Sequence, residues 1–399
     1  MSAQTAAYAQ PIPEIDLAHP ELPGSAAIGA LIGASRVVAL GEGAHSIVEF
    51  TAYGDAFLRT LVRDHGVTAF VMESGFAEGL LVDEWIRGGP GAVQDIAREG
   101  ITYRFGESES LWRQLEWMRE WNAAGGGIRF YGMDLPGSST SPGPAVRACL
   151  ARIPARDGDE ELQRLADLGG RTEAAIAYAS MSDGQRTEFA ESLRALIVRV
   201  REDGDEIALR CAASIDAYLA ELDGDDDAGP YPRETFMAET VEWIAAREER
   251  ILVYAHNGHV RRTPLDGRPM MGALLSAVLG ADLRVIGMTY GAGPVVTFTQ
   301  RSPRSFDCDV SLGQRGTVPG SIEERLDAIG ADAVLVDLSR ADAALLDGVE
   351  GMLASGSLER VDDFPASFDA LLHLHRVRPT PGAFERLRAE FDAPGRSEE

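Results

Sequence analysis

The chain of 399 residues is poor in several things that would each have pointed to a function. Only three cysteines occur, Cys149, Cys211 and Cys308, odd in number, far apart and without metal spacing. That excludes a disulfide framework, and the three read as buried or free thiols of a reducing compartment. Positive charge is also scarce, with 37 basic residues against 63 acidic ones and a net charge of −26. Nucleic acids and anionic membranes both reward basic patches, so this balance argues against either partner. Long apolar runs are missing: none approaches the roughly 20 residues of a transmembrane helix. The opening MSAQTAAYAQPIPEID has neither a basic n-region nor an apolar h-region, so no secretory signal is visible. The expectation is a cytoplasmic protein with no membrane and no nucleic-acid partner.

What remains is ordinary for a globular chain, with 45% apolar and 25% charged residues. Short apolar runs suited to buried strands lie at Val37–Leu40, Ala69–Met72, Ile128–Tyr131, Ile251–Ala255, Leu283–Met288 and Ala333–Leu338. Amphipathic segments, over Val48–Arg63, Leu80–Ile86 and Glu109–Asn122, fall between the early runs. This alternation predicts an α/β fold with a mostly parallel central sheet and flanking helices. It breaks after Gly137, where SSTSPGP is a loop signature and a strand-free, helix-forming stretch follows. The expected divisions are an α/β core over 30–140 and 231–294, with a helical insertion over 141–230 forming a substrate lid. A smaller α/β portion over 295–380 ends in the strand-like FDALLHLHR, and a charged tail over 381–399 is expected to fray.

Four of the strands run into an ionisable residue. VVAL leads to Gly41-Glu42-Gly43-Ala44-His45, AFVM to Glu73, RFYGM to Asp134, and ILVYA to His256-Asn257-Gly258-His259. Open α/β sheets bind ligands outside the carboxyl ends of their strands. Glu42, His45, Glu73, His256 and His259 are therefore expected around one cleft. A single polar residue ending a strand is usually a cap; four in step favour a common site. Gly41-x-Gly43-x-x-Ser46 imitates a dinucleotide fingerprint, but a carboxylate at Glu42 would repel a pyrophosphate. Zinc, manganese or iron would accept these side chains, yet the spacing fits no metal signature such as H-E-x-x-H. The same set suits metal-free acid–base chemistry, because a carboxylate fixes a histidine's tautomer and raises its basicity. No cofactor is expected, with a divalent metal as the alternative. There is no G-x-S-x-G elbow. His373 and His375 are expected to be core or edge-strand histidines, the acidic turn Asp223–Glu234 a solvated mimic of a calcium loop, and Trp112, Trp117 and Trp121 helix-packing residues.

With LGEGAHSIVEF, FVMESGFAEG, LEWMREWN before FYGMDLPG, YAHNGHV and FDALLHLHRV in order, the sequence resembles the erythromycin esterase family from about Ser35 to Pro379. The resemblance implies that His45 is a general base acting on water. It also implies that Glu42, Glu73, His256 and His259 line the same cleft and are needed for activity. Members commonly carry an arginine about nine residues after that histidine, where this chain has Gly54. Arg59 or Arg104 is the expected substitute, and Asp134, Arg59, Arg104 and Asn257 are the candidate substrate-binding residues.

The expected function is hydrolysis of an ester or lactone of a macrolide or another natural product by His45-activated water, with His256 or His259 stabilising the oxyanion or protonating the leaving alkoxide. Antibiotic resistance or natural-product biosynthesis in a bacterium is the implied setting. One alternative is a natural-product tailoring lyase, cyclase or acyl transferase using the same base. Another is a non-catalytic ligand-binding protein on this scaffold, which the missing arginine favours. In each case the partner is a small-molecule ester, lactone or polyketide-type compound, and the sequence leaves the oligomeric state open.

Overall fold

The computed structural model describes residues 7–22, 25–224, 229–300 and 308–391. Its strands are β1 (Ala9–Pro11), β2 (Val37–Glu42), β3 (Ala69–Gly75), β4 (Arg129–Asp134), β5 (Ile251–His256), β6 (Leu283–Gln300), β7 (Cys308–Arg315), β8 (Ala333–Asp337), β9 (Gly351–Ala354), β10 (Ser357–Arg360) and β11 (Ala370–Arg376). Each apolar run expected to be a strand is one. The fold is α/β, and its central strands pair in parallel with helices flanking them. Two compact units divide the chain, one drawn from residues 1–68, 108–113 and 248–399, the other from 69–107 and 114–247.

In the first unit the sheet order is β1-β8-β11-β6-β2-β5, with β7 beside β6. The β11–β6, β6–β2 and β2–β5 pairs are parallel, whereas β1–β8, β8–β11 and β6–β7 are antiparallel. All of β2 is buried, and so is all of β5 up to His256. Strands covered on both faces read as unbroken apolar runs, which is why these were legible. Helix Val48–His65 follows β2 and stops at Gly66, whose φ of 69° supplies the left-handed cap. His373 is fully buried on β11, 2.9 Å from the Thr289 hydroxyl. In the stretch from 295 onward, β8 and β11 join the same sheet as β6.

Of the charged tail over 381–399, residues 392–399 lie outside the described residues, and the part before them is ordered. Ala383–Phe391 is a helix that buries Ala383, Leu387 and Phe391, with the Phe391 ring edge-on to Phe298 at 5.8 Å. An apolar stripe inside a charged segment anchors it.

In the second unit β3 and β4 pair in parallel, and the register slips between Met72 and Gly75. The slip is a bulge, one extra residue on β3 that re-aims the side chains around it. Gly132 admits it: a Cβ there would lie 2.1 Å from the Gly75 carbonyl oxygen and 2.6 Å from that of Ser74. Asp83, on helix Phe76–Ile86, grips the start of β4 through the Arg129 guanidinium at 2.9 and 2.8 Å and the Phe130 amide at 3.1 Å. From 143 to 245 the described residues carry helices and no strand. Ser182 and Asp205 cap two of these helices by accepting from Gln185 and Ala208. These helices share their compact unit with β3 and β4. Within the acidic turn that mimics a calcium loop, residues 225–228 lie outside the described residues. Among the described residues no helix is long and apolar enough to cross a membrane.

Gly132→Ala is expected to destabilise the second unit by about 1–3 kcal/mol or more, since the obstructing atoms are backbone and cannot turn aside. Urea unfolding of the variant checks this, and a change below about 0.5 kcal/mol would mean that the bulge yields.

Candidate functional site

The loop after β2 is built by exclusion. A Cβ on Gly41 would lie 2.3 Å from Asn257 Oδ1, and one on Gly43 would lie 3.0 Å from the Met288 carbonyl oxygen. Ser46 takes a φ of 58°, turning the chain sharply into helix Val48–His65. This tight turn folds His45 back on Glu42, so that Nδ1 lies 2.7 Å from Glu42 Oε1. The second carboxylate oxygen accepts the Tyr254 hydroxyl at 2.6 Å. Glu42 is 5% exposed, while the His45 side chain keeps 29% of its surface open.

Parallel pairing sets Glu42 opposite His256. The two imidazole rings stand 5.0 Å apart, tilted by 50°. His256 caps the short helix Asn257–Val260, its Nδ1 accepting the Gly258 amide at 3.2 Å. The hydrogen bonds thus assign complementary tautomers. His45 carries its proton on Nδ1, facing the carboxylate, which leaves Nε2 with a lone pair. A neutral His256 accepts at Nδ1 and carries its proton on Nε2. In these tautomers one ring can accept a proton at Nε2 and its neighbour can donate one. His259 lies a turn further on, near Glu359, whose carboxyl is raised above its usual range by burial despite the pull of Arg261.

The second unit holds another polar cluster, around Arg233 at the start of helix Pro232–Ala245. Its Nη2 donates to Glu73 Oε1 at 2.9 Å, and its Nε and Nη2 grip Asp134 at 2.8 and 2.5 Å. Tyr103 donates to the same Asp134 at 2.9 Å, and the Leu135 amide does so at 2.7 Å. Tyr103 and Arg104 sit at φ 57° and 61°, a strained pair that delivers the phenol to Asp134. Glu78 lies nearby, its carboxyl pushed up by burial to about 7 although the Gly137 amide donates to it at 2.6 Å.

Within the first unit, then, Glu42, His45 and His256 come together; Glu73 and Asp134 meet around Arg233 in the second. Two of the candidate substrate-binding residues have structural partners. Asp134 is wholly buried and accepts from Arg233, Tyr103 and the Leu135 amide. Asn257 is 1% exposed, and its amide ties the loop to the Met288 carbonyl at 2.9 Å. Arg59 forks onto Asp55 at 2.9 and 2.8 Å, and Arg104 pairs with Glu107 at 3.2 Å. At Gly54 the space beside the backbone is filled by the Tyr254 ring, 2.7 Å from where a Cβ would be. Among the described residues no group of three or more His, Cys, Asp or Glu side chains is placed to hold a metal ion.

Arg233, Tyr103 and Tyr254 were not read from the sequence as site residues. Only Tyr254 left a usable signal: in ILVYAH the strand period puts Leu252, Tyr254 and His256 on one face. Arg233 lies 99 residues from Asp134 along the chain.

Comparison with known proteins adds a family. A family model described as erythromycin esterase matches residues 62–377, beginning downstream of the Glu42–His45 loop. Erythromycin esterase type II of Escherichia coli is 26% identical over 392 residues, covering 89% of this chain and 93% of that protein. Erythromycin esterase type I of Escherichia coli is 24% identical, covering 67% and 72%. Among solved structures, a mutant of the erythromycin esterase EreC in its open conformation superposes with a TM-score of 0.70 at 19% identity, covering 92% of this chain and 98% of that one. A succinoglycan biosynthesis protein gives 0.75 at 18% identity, covering 95% and 99%. At these identities the structures attest the fold alone.

Arg233→Met would leave Asp134 and Glu73 buried without their cation, and the second unit is expected to lose about 3–5 kcal/mol in urea unfolding. A loss under about 1 kcal/mol would show the cluster to be well solvated. The raised Glu78 predicts a pH effect of definite sign. Its folded value of about 7 lies above the ordinary 4.5. Its contribution is therefore fully present below about pH 4.5 and lost as pH rises through about 7. Glu78→Gln should flatten the fall in stability between pH 5 and about 8; an unchanged slope would assign that fall to other groups.

Proposed function

The chain belongs to the erythromycin esterase family, and we propose on that footing that it hydrolyses an ester or lactone of a macrolide or related natural product with His45 as general base. One observation carries the reading: the Glu42–His45 hydrogen bond, set beside a second imidazole of opposite tautomer. His45 Nε2 takes a proton from water while Glu42 stabilises the imidazolium through Nδ1. The hydroxide adds to the carbonyl carbon, and negative charge gathers on the carbonyl oxygen. His256 Nε2–H is the donor for that oxygen; where it protonates the departing alkoxide instead, the proton held by His45 passes back to His256. Either way the proton taken from water is balanced by the one on the leaving alcohol, so ester and water give acid and alcohol. General acid–base catalysis of this kind contributes about 10²–10⁴-fold, and a fixed donor to the oxyanion adds a comparable factor.

The composition supports placing this chemistry on imidazole. All 37 basic residues are arginines and the chain has no lysine, so neither a lysine nucleophile nor a lysine base is available. Glu73 and His259 are proposed as further participants, and Arg59 and Arg104 as substrate contacts, in keeping with the resemblance.

Incubation with a panel of macrolides and aryl esters, followed by product mass, tests the reaction class. Gain of one water is expected; loss of water, or a retained but unchanged ligand, would replace hydrolysis by elimination or by binding. On the substrate so found, His45→Ala should lower kcat by about 10²–10⁴-fold and leave ligand affinity within about threefold. Activity should survive chelation of divalent ions. Near-wild-type turnover in His45→Ala would discard the mechanism.

A further inference from the structure

We propose that Tyr254 is the positioning residue of the Glu42–His45 pair, and that glycine at position 54 is what admits it; the proposal rests on reading His45 as the base. Glu42 has two buried oxygens to satisfy. Oε1 meets His45 Nδ1 at 2.7 Å, and the Tyr254 hydroxyl donates to Oε2 at 2.6 Å. A carboxylate held at both ends cannot rotate about its terminal bond, so Oε1 stays aimed at the imidazole. The phenol is a neutral donor: it fixes the carboxylate without cancelling its charge, which stays available to an imidazolium. Its O–H dipole also points its positive end toward the pair, which moderates the pull on the His45 proton.

The ring reaches this place because helix Val48–His65 offers bare backbone at Gly54. A Cβ there would stand 2.7 Å from Tyr254 Cε2, 3.2 Å from Cδ2 and 3.5 Å from Cζ. Gly54 has no unusual φ that would call for glycine, so the demand comes from the ring alone. Tyr254 is 7% exposed, so its ring cannot swing into solvent to make room. Any side chain at position 54 must shift the ring, and with it the hydroxyl. Positions 54 and 254 thus act on His45 through one oxygen atom.

The experiment compares wild type, Tyr254→Phe, Gly54→Ala and the double variant. The His45 imidazole is titrated by ¹H–¹⁵N NMR on the free protein, its signals assigned by their loss in His45→Ala. Tyr254→Phe keeps the ring and removes the donor. Its His45 titration is expected to move to higher pH by about half a unit or more. The acid limb of kcat/KM on the panel substrate should follow, with kcat lower by on the order of tenfold and KM little changed. Gly54→Ala should reproduce the shift in titration, and the double variant should add nothing to it. An unmoved titration in both single variants, with unaltered kcat, would reduce Tyr254 to a packing residue and overturn the proposal; should Tyr254→Phe fail to fold, Gly54→Ala decides alone. The titration needs no substrate, so a moved midpoint supports the proposal even where His45→Ala retains turnover, a result that overturns only the assignment of the base.

Discussion

The parallel register of β2 on β5 is the constraint on which the rest of the first unit's site depends. It sets Leu40 opposite Tyr254 and Glu42 opposite His256. Side chains alternate along a strand, so Tyr254 and His256 share a face, and a slip of one residue would turn both away from Glu42. Strands in this register stand about 4.8 Å apart, which brings the phenol and the second imidazole within reach of one carboxylate. The loop glycines act in the same direction. Gly41 and Gly43 leave no room for side chains against Asn257 and Met288, so the chain turns tightly enough to return His45 to Glu42.

The two units use charge differently. Around Glu42 the partners are imidazole and phenol, groups that can pass or share a proton near neutrality. Around Asp134 the partner is a guanidinium, which never gives its proton up. Burial works against the Arg233 charge, yet Asp134, Tyr103 and Glu73 hold it above the ordinary arginine range. The first arrangement can share a proton between its groups, and in the second the arginine proton stays fixed. A chain without lysine makes that division sharp, since every fixed positive side chain is a planar fork that favours bidentate grips like those on Asp55, Asp83 and Asp134.

The central strands were legible because they are covered on both faces and so appear as plain apolar runs, whereas β1 and β7 carry exposed positions and show no such run. Glu42, Glu73, Asp134 and His256 were legible because each breaks such a run. The sequence could not say that Asp134 would be paired with Arg233, a partner far along the chain that begins a helix after an acidic turn. Nor did composition distinguish the terminal helix from a fraying tail, because three apolar residues at helical spacing are diluted among charges. Gly54 looked like the loss of a functional arginine when read alone. It took the position of the Tyr254 ring to show that the glycine makes room for something else.

That close approach couples the two positions energetically. With tyrosine at 254, a side chain at 54 has to displace a ring that has no solvent to move into, so the cost of changing either residue depends on what stands at the other. A substitution at 54 judged by itself would be misjudged, because its effect is carried by the ring across from it.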